Sequence, residues 1–332
     1  MPVSEQTGQA GAEIFAAALD FDAKSERRVG VDQIGEAIDA GQFVWLDVAI
    51  TNAEGADRVV ESLPGPMRTA FADALKGFAG LTIEHQEGHI QLGITGCRLV
   101  LGKFRKERMT VSMARQFMLT VRRGGVEAVD ELKRRYVADF LAFAKTPSFL
   151  MYGLWHALVT QYQATQQQFE GRVETVQNQL MGDVDEALIA QVSSLGADLL
   201  HFRTLMLPAR STLAELSTHK SPFISETTQP FLNAMTGVID HVLQDLLVDR
   251  EILSDSMNLH MSIMAHRTNH IINRLTMLSF FFLPLTFLCG MWGMNFKFMP
   301  ELAWRWGYLY FFILTGVIVV VQLAFMRWKK WI

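Results

Sequence analysis

The segment "GMWGMNFKFMPELAW" (residues 290–304) joins two long, apolar and uncharged stretches of this 332-residue chain. These stretches, Leu275–Met294 and Gly307–Met326, each contain 20 residues without a charged side chain. Because an α-helix rises 1.5 Å per residue, about 20 apolar residues cross the roughly 30 Å hydrocarbon core of a bilayer. The sequence therefore predicts a hairpin of two transmembrane helices, joined by a short loop.

Basic residues are concentrated at the two open ends of this hairpin, at Arg267, Arg274, Arg327, Lys329 and Lys330. The loop between the spans has only Lys297 and Arg305. Since cytoplasmic segments carry the excess of Lys and Arg, we expect both termini in the cytosol and the loop outside a bacterial inner membrane. The N-terminal residues have neither the basic region nor the apolar core of a cleaved signal, so we expect the body to stay inside.

The charge of the chain is unevenly distributed. Residues 271–332 carry a net charge of +5, and the total of −4 leaves −9 for residues 1–270. An acidic body disfavours nucleic acid and suits cations as partners. The two cysteines form no CxxC pair, and neither a phosphate-binding glycine-rich loop nor a nucleophile elbow occurs. We therefore expect neither an enzyme nor a bound cofactor.

The body has the pattern of a mixed α/β domain followed by long helices. Alternating apolar runs predict strands over residues 43–50, 90–94, 97–104, 108–113 and 117–123, and short helices over 31–39, 52–62 and 66–77. The helical pattern that follows has breaks near Pro147 and Gly182 and a kink at Pro208. The predicted fold class is an α+β cytosolic domain, a long stalk helix and an all-α two-helix transmembrane hairpin.

Six segments are predicted along the chain. They are a cytosolic α/β domain (1–125), a cytosolic helical region (126–228), a stalk helix continuing into the first span (229–294), an extracytoplasmic loop (295–306), the second span (307–326) and a basic cytosolic tail (327–332). A continuous helix from Pro230 to Met294 would be about 98 Å long. We expect so long a stalk to pack against copies of itself.

One face of the stalk and first span is small or polar through most of its length. Steps of four and three residues along it give Asn258, Ser262, Ala265, Asn269, Ile272, Thr276, Ser279, Leu283, Thr286 and Gly290. Such residues can simply allow close helix packing or bond back to their own backbone. Alternatively, this face lines a water-filled path with Ile272 and Leu283 as apolar constrictions. Two spans cannot enclose a pore, so the second interpretation requires an oligomer.

At the outer end of this face, Gly293 allows the chain to leave the helix, and Asn295 tolerates a left-handed backbone, which predicts a helix C-cap. Repeated around a symmetry axis, Asn295 would give a ring of amide oxygens. Neutral oxygens can hold a hydrated hard cation without demanding its dehydration, and Mg²⁺ gives up its water most reluctantly.

The residues "GMN" (293–295), "MPEL" (299–302) and "WRWGY" (304–308), with two C-terminal spans and the basic tail "RWKKWI", resemble the CorA family of divalent cation channels and transporters. The resemblance implies a homopentamer with a funnel-shaped cytosolic domain and a pore lined by the first span. Gly293, Met294 and Asn295 would form the outer selectivity site. A CmaX-like member of the family is a further hypothesis, which no motif supports.

The chain departs from the family pattern at two positions. Lys297 stands where relatives often carry an acid, and a ring of lysines would repel the ions that Glu301 attracts. Asn258 stands where some relatives carry an aspartate in the cytosolic part of the pore.

Two sets of residues are candidates for further metal binding. The resemblance implies sensing of internal magnesium at acidic contacts between protomers, for which the stalk offers Asp240, Asp245, Asp249, Glu251 and Asp255; solvated faces account for them equally well. His266 and His270, four residues apart, can face one transition metal, but two ligands are too few, so packing is the favoured interpretation. "HQEGH" (85–89) has the residues of a metalloprotease motif in the wrong order and outside a helix.

Three functions follow from these patterns. The leading hypothesis is a pentameric channel for Mg²⁺, with Co²⁺ and Ni²⁺ as further ions. The second is transport of Zn²⁺ or another transition metal, as described for the ZntB branch of the same superfamily. The third is a membrane-tethered regulatory protein that does not conduct, which the positive charge of Lys297 suggests.

Overall fold

The computed structural model describes residues 11–76, 83–86, 88–100, 102–182, 184–295, 297, 299–300 and 304–329. The chain forms two compact units, residues 1–255 and residues 256–332. The first unit contains a sheet and most of the helices, and the second contains two apolar helices. The predicted fold class is confirmed: a mixed α/β part, long helices and a C-terminal apolar helix pair occur in that order.

The described strands are β1 (Ala12–Asp20), β2 (Ser25–Arg28), β3 (Phe43–Ile50), β4 (Ile83–Gln86), β5 (His89–Val100), β6 (Lys103–Ala114) and β7 (Phe117–Arg123). The described helices are α1 (Ile34–Asp39), α2 (Ala53–Ser62), α3 (Gly65–Lys76), α4 (Glu127–Ala142), α5 (Ser148–Leu180), α6 (Glu186–Thr218), α7 (Gln229–Trp292) and α8 (Gly307–Trp328). Helix α6 continues through Pro208. Helix α7 has 64 residues and belongs to both units.

The seven strands form one sheet in the order β2-β1-β3-β7-β6-β5-β4. The central pair β3 and β7 is parallel, and the other neighbouring pairs are antiparallel. Strands β5 and β6 pair over their full length, from His89 opposite Ala114 to Val100 opposite Lys103. The prediction of separate strands over 90–94 and 97–104 is therefore wrong, because one strand continues to Val100 and the chain turns at Gly102, whose φ is +75°.

Both faces of the sheet are covered, so all eight residues of β3 are buried. This explains the near-continuous apolar run of that strand. Helices α1 to α3 contribute to the core on one face, with Phe71 fully buried there. On the other face, the ring of Trp45 packs edge-on against Tyr136 of α4, with centroids 5.2 Å apart.

A buried carboxylate connects the centre of the sheet to α4. Asp47 on β3 accepts hydrogen bonds from Thr120 Oγ1 (2.6 Å) and Arg122 Nε (3.1 Å), and its Oδ2 lies 2.7 Å from Lys133 Nζ. An isolated buried charge would be costly, but this one has two cationic partners and a hydroxyl donor. The arrangement fixes α4 over the parallel pair of strands.

In the second unit, α8 packs against the C-terminal part of α7 as an antiparallel pair. The rings of Phe280 and Phe325 stack with centroids 5.7 Å apart, and Trp292 contacts Phe311 at 5.5 Å. Both helices are long and apolar enough to cross a membrane. Aromatic residues also cluster near the loop, where the rings of Trp304 and Tyr310 have centroids 5.9 Å apart.

A proline inside α7 determines a polar contact between these two helices. Pro284 has no N–H, so it cannot donate the usual intrahelical hydrogen bond to the carbonyl of Phe280. Gln322 of α8 donates from Nε2 to that carbonyl at 2.8 Å. The Gln322 side chain is buried in this apolar unit. It supplies the hydrogen bond that the Phe280 carbonyl needs, because the hydrocarbon core of a membrane contains no water to donate one.

We expect Gln322→Leu to destabilise the helix pair by about 1 kcal/mol, the usual size of an interhelical hydrogen bond in membranes. In a Pro284→Ala background the same substitution should have little effect, because the new N–H of residue 284 bonds the Phe280 carbonyl. Unfolding of the four proteins in mixed micelles measures the coupling. Equal effects of Gln322→Leu in both backgrounds would contradict this account.

Candidate functional site

The polar face predicted to line a pore is uncovered in the protomer. Each of its residues is exposed: Asn258, Ser262, Ala265, Asn269, Ile272, Thr276, Ser279, Leu283, Thr286 and Gly290. The exposed fraction is 53% for Ile272 and 71% for Leu283. Bulky neighbours such as Phe287 are also exposed, so exposure alone does not single out this face.

Helix α8 packs on one side of α7, and the polar face lies on the opposite side. Along α7, Phe281 is half-buried and Leu288 is 8% exposed, which marks the covered side of the helix. Successive residues of an α-helix are about 100° apart, so residues two positions away lie on nearly opposite sides. Ser279 and Leu283 are each two positions from Phe281. Thr286 and Gly290 have the same relation to Leu288, so the polar face points away from the covered side.

The end of α7 differs from the prediction. The helix ends at Trp292, two residues before the predicted end of the span, and Gly293 N donates to Cys289 O at 3.0 Å. Among the described residues, Lys24 is the one non-glycine with a positive φ, and Gly293 is not among the positive-φ glycines. The chain therefore leaves the helix at Gly293, as the sequence predicts, but no residue of this turn adopts the left-handed conformation that Asn295 would tolerate. A Cβ on residue 293 would lie 3.0 Å from the Cys289 carbonyl oxygen, so close approach to the backbone favours glycine.

Beyond the helix, Met294, Asn295 and Lys297 are all exposed. The Asn295 side chain and the Lys297 ammonium are thus accessible to an ion at this end of the second unit. Glu301, the predicted counterpart of Lys297, lies outside the described residues.

The acidic residues predicted to sense magnesium have separate environments. Asp240 pairs with Arg210, whose guanidinium holds the pKa of that carboxyl below its usual range, and Asp245 lies 2.9 Å from His241 Nδ1. Glu251 and Asp255 are exposed. In the described parts of the chain, these acids form no group able to hold a metal ion within one protomer.

Asp249 differs from the other stalk acids because it is buried, with 4% of its surface exposed. Its Oδ2 has no hydrogen-bond partner in the structure. Burial, followed by the nearby negative charge of Glu170, raises the pKa of Asp249 to about 6, although a hydrogen bond with Gln166 lowers it. Asp245 adds a smaller repulsion in the same direction.

His266 and His270 are neighbours, as their spacing predicts. Their ring centroids are 4.5 Å apart with an interplanar angle of 76°, and both residues are exposed. No third His, Cys, Asp or Glu completes a metal site with them in the described residues.

The sequence analysis did not identify Gln322, the residue of α8 whose hydrogen bond to α7 helps determine which side of α7 is covered. A single glutamine in a span of 20 uncharged residues gave no signal by itself. Gln322 could have been found together with Pro284. A proline within a span leaves a backbone carbonyl that needs a hydrogen-bond donor from another helix, and a glutamine in the other span can supply it.

Comparison with known proteins identifies the family. The family model described as "CorA-like Mg2+ transporter protein" matches residues 40–330. The chain belongs to this family, which confirms the resemblance found in the sequence. The family is one of metal-ion transporters and is not a class of enzymes.

Relatives cover part of the chain. The cobalt/magnesium transport protein CorA of Thermotoga maritima is 29% identical over 191 residues, which are 57% of this chain and 54% of that protein. The zinc transport protein ZntB of Yersinia pseudotuberculosis is 25% identical over 145 residues, or 43% of each chain. The alignments thus span about half the length of these relatives or less.

Solved structures share the fold over nearly the full length. The CorA magnesium transporter of Methanocaldococcus jannaschii has a TM-score of 0.81 at 16% identity, covering 96% of this chain and 98% of that one. The full-length CmaX protein has a TM-score of 0.77 at 19% identity, covering 98% and 100%. At these identities the likeness establishes the fold, and a CmaX-like character stays a hypothesis.

The buried carboxylate of Asp249 predicts a pH dependence of stability. Its pKa is about 6 in the folded protein, against about 3.9 in an unfolded chain, so the folded state holds this proton more tightly. The resulting stabilisation is fully present below pH ~4 and is lost as the pH rises through about 6. We expect Asp249→Asn to raise the melting temperature at pH 8 more than at pH 5.

The matched control is Asp255→Asn, an exposed aspartate on the same helix. Thermal unfolding of both variants and the natural chain, followed by circular dichroism between pH 5 and pH 8, provides the test. A shift for Asp249→Asn that is the same at both pH values would contradict the assignment.

Proposed function

We propose that the chain assembles as a homopentameric channel that passes Mg²⁺ into the cytosol, with Co²⁺ and Ni²⁺ as further ions. The channel lies in the bacterial inner membrane, and both termini are cytoplasmic. Family membership supports this proposal, as does the similarity to the cobalt/magnesium transport protein of Thermotoga maritima. The basic residues at the open ends of the helix pair support the orientation.

The observation that carries the proposal is the uncovered polar face of α7. Two apolar helices per chain cannot enclose an aqueous path, so the face must meet copies of itself around an axis. Thr276 and Ser279 would be poorly placed against lipid, because polar side chains in spanning helices face the bundle interior or a water-filled cavity. Ile272 and Leu283, exposed on the same face, would form rings narrow and apolar enough to gate by dewetting.

Ion choice is proposed to occur at Gly293, Met294 and Asn295. The amide oxygen of Asn295 is neutral, so five of them can accept hydrogen bonds from the water shell of Mg²⁺ without replacing that shell. A membrane potential contributes about 4.6 kcal/mol per 100 mV for a divalent ion that crosses completely, which makes uptake favourable without an ATP site.

Transport of Zn²⁺ or another transition metal through the same path is the second candidate. The adjacent rings of His266 and His270 favour it, since each protomer of an oligomer would supply two imidazoles just before the first span. The ZntB relative from Yersinia pseudotuberculosis is consistent with this alternative.

Flux into sealed vesicles separates these functions. The purified chain is reconstituted, and Mg²⁺, Co²⁺ or Zn²⁺ entry is followed with dyes trapped inside under an imposed negative potential. Mg²⁺ entry supports the leading proposal, whereas Zn²⁺ entry without Mg²⁺ supports the second. Flux of none of these ions would indicate a non-conducting regulatory protein, as Lys297 suggests. A purified particle with a mass other than five chains would overturn the pentamer.

We expect Asn295→Ala to reduce Mg²⁺ flux by about tenfold or more, because the ring of oxygens that holds the hydrated ion is lost. The oligomer should stay intact, as shown by its mass in detergent. Asn233→Ala, an exposed asparagine of α7 in the first unit, is the matched control and should retain flux. Equal flux in the two variants would remove Asn295 from ion selection.

A further inference from the structure

A cavity of about 460 Å³ opens in the second unit, where the end of α7 meets the beginning of α8. Its volume is within the roughly 300–1,000 Å³ of ordinary small-molecule sites. Its walls include Cys289, Trp292, Trp304, Arg305, Tyr308 and Phe311. The cavity lies between the two helices, whereas the polar face of α7 points away from α8, so the proposed ion path does not occupy this space.

The ends of the helices place this cavity at the level of the lipid headgroups when the pair spans a membrane. Helix α7 ends at Trp292 and α8 begins at Gly307, and both helices are apolar enough to cross the hydrocarbon core. Cys289 lies three residues before the end of α7, and Phe311 lies four residues after the start of α8. At 1.5 Å per residue, the cavity therefore extends about 6 Å from the headgroup level into the region where acyl chains begin.

The lining of the cavity is aromatic and carries one positive charge. Trp292 is half-buried, and its ring packs on Phe311 with centroids 5.5 Å apart, while Trp304 and Tyr308 are exposed. The Arg305 side chain is exposed as well, and no acidic residue is among the described residues of the lining. A guanidinium offers parallel N–H groups that match two phosphate oxygens, and Trp and Tyr rings suit the boundary between headgroups and hydrocarbon. The lining thus complements an amphipathic anion.

We propose that this cavity binds the headgroup of one anionic phospholipid from the surrounding membrane. The phosphate oxygens accept hydrogen bonds from Arg305, and the glycerol backbone and first acyl carbons pack against Trp292 and Phe311. A zwitterionic headgroup fits less well, because its cation meets no carboxylate among the described lining residues. Soluble phosphate lacks the apolar part that the aromatic walls contact. The inference rests on the proposed membrane insertion of α7 and α8, and it does not depend on which ion is transported.

A lipid in this cavity also contacts the turn that leads to the proposed ion-selection site. Gly293, the first residue after α7, is part of the cavity wall. Its N–H donates to Cys289 O, the carbonyl of another lining residue, at 3.0 Å. The bound lipid therefore supports the turn before Asn295 from the side that faces α8.

Lipid counting by native mass spectrometry tests the proposal on the full chain. The protein is stripped of lipid in detergent and titrated with phosphatidylglycerol, phosphatidylcholine or soluble glycerol phosphate. We expect phosphatidylglycerol to bind at least roughly fivefold more tightly than phosphatidylcholine, and glycerol phosphate not to bind. Equal binding of the two lipids would overturn the anionic headgroup, and binding of glycerol phosphate as tight as that of the lipid would overturn the membrane as its source.

Substitutions at Arg305 assign the binding to this cavity. Arg305→Gln should weaken phosphatidylglycerol binding by roughly fivefold, whereas Arg305→Lys keeps the charge and should weaken it less. Lys297→Gln is the matched control, because it removes one positive charge from the same end of the helix pair outside the cavity lining. Equal losses in Arg305→Gln and Lys297→Gln would show a general attraction to positive charge and would overturn the site.

The two natural cysteines locate the bound lipid. Cys289 is exposed and lines the cavity, whereas Cys97 is buried, and burial raises the pKa of its thiol. A small maleimide should therefore modify Cys289 alone in the folded chain, and saturating phosphatidylglycerol should slow this reaction at least roughly fivefold. No slowing, or equal slowing in Arg305→Gln, would show that the lipid binds elsewhere. Both lipid measurements are made without ion flux, so their failure and the failure of the proposed transport are separate results.

Discussion

The second unit depends on one constraint, that the backbone carbonyl left free by a proline in an apolar helix pair needs a hydrogen-bond donor. Pro284 removes the intrahelical donor of the Phe280 carbonyl, and the amide of Gln322 replaces it from the facing helix. This contact fixes the rotation of α7 about its own axis relative to α8. With the rotation fixed, the side of α7 that carries Phe281 and Leu288 is covered, and the opposite side with its hydroxyl and amide groups remains available to other copies.

The first unit also contains a buried polar group that needs partners, in this case a charged carboxylate. The sheet is covered on both faces, so the single carboxylate of its central strand, Asp47, would be isolated from water. Arg122 on the neighbouring strand and Lys133 on α4 neutralise it, and Thr120 adds a hydroxyl donor. The polar contact therefore determines which helix covers this part of the sheet, as Gln322 determines how α8 meets α7. In both units, buried polar groups select one packing among several that apolar residues alone would allow.

The strongly periodic segments were predictable from sequence, and the weakly patterned ones were not. Strands β3 and β7 have nearly continuous apolar sequences, which are typical of strands that are buried on both faces of a sheet. Strand β1 was missed because its alanines carry little strand preference, and the four-residue edge strands β2 and β4 are too short and polar to show alternation. The hairpin of β5 and β6 was divided wrongly because Gly102, its turn residue, lies within an apolar run.

The same distinction applies to the candidate site. The polar face of α7 could be found by counting residues, since all of its members lie on one helix. The conformation of residues 293–295 could not, because glycine and asparagine permit a left-handed cap without requiring one. Contacts between distant segments, such as His85 with Glu215, depend on how the sheet and α6 meet, which no local pattern encodes.

The hydroxyl of Thr286 is already committed within its own helix. Its proton is donated to the Phe282 carbonyl at 2.9 Å, so the oxygen presents only lone pairs to its surroundings. Water molecules around a cation turn their hydrogens outward, whereas those around an anion turn their oxygens outward. In the proposed path, a ring of such acceptor-only oxygens would complement the first arrangement and disfavour the second.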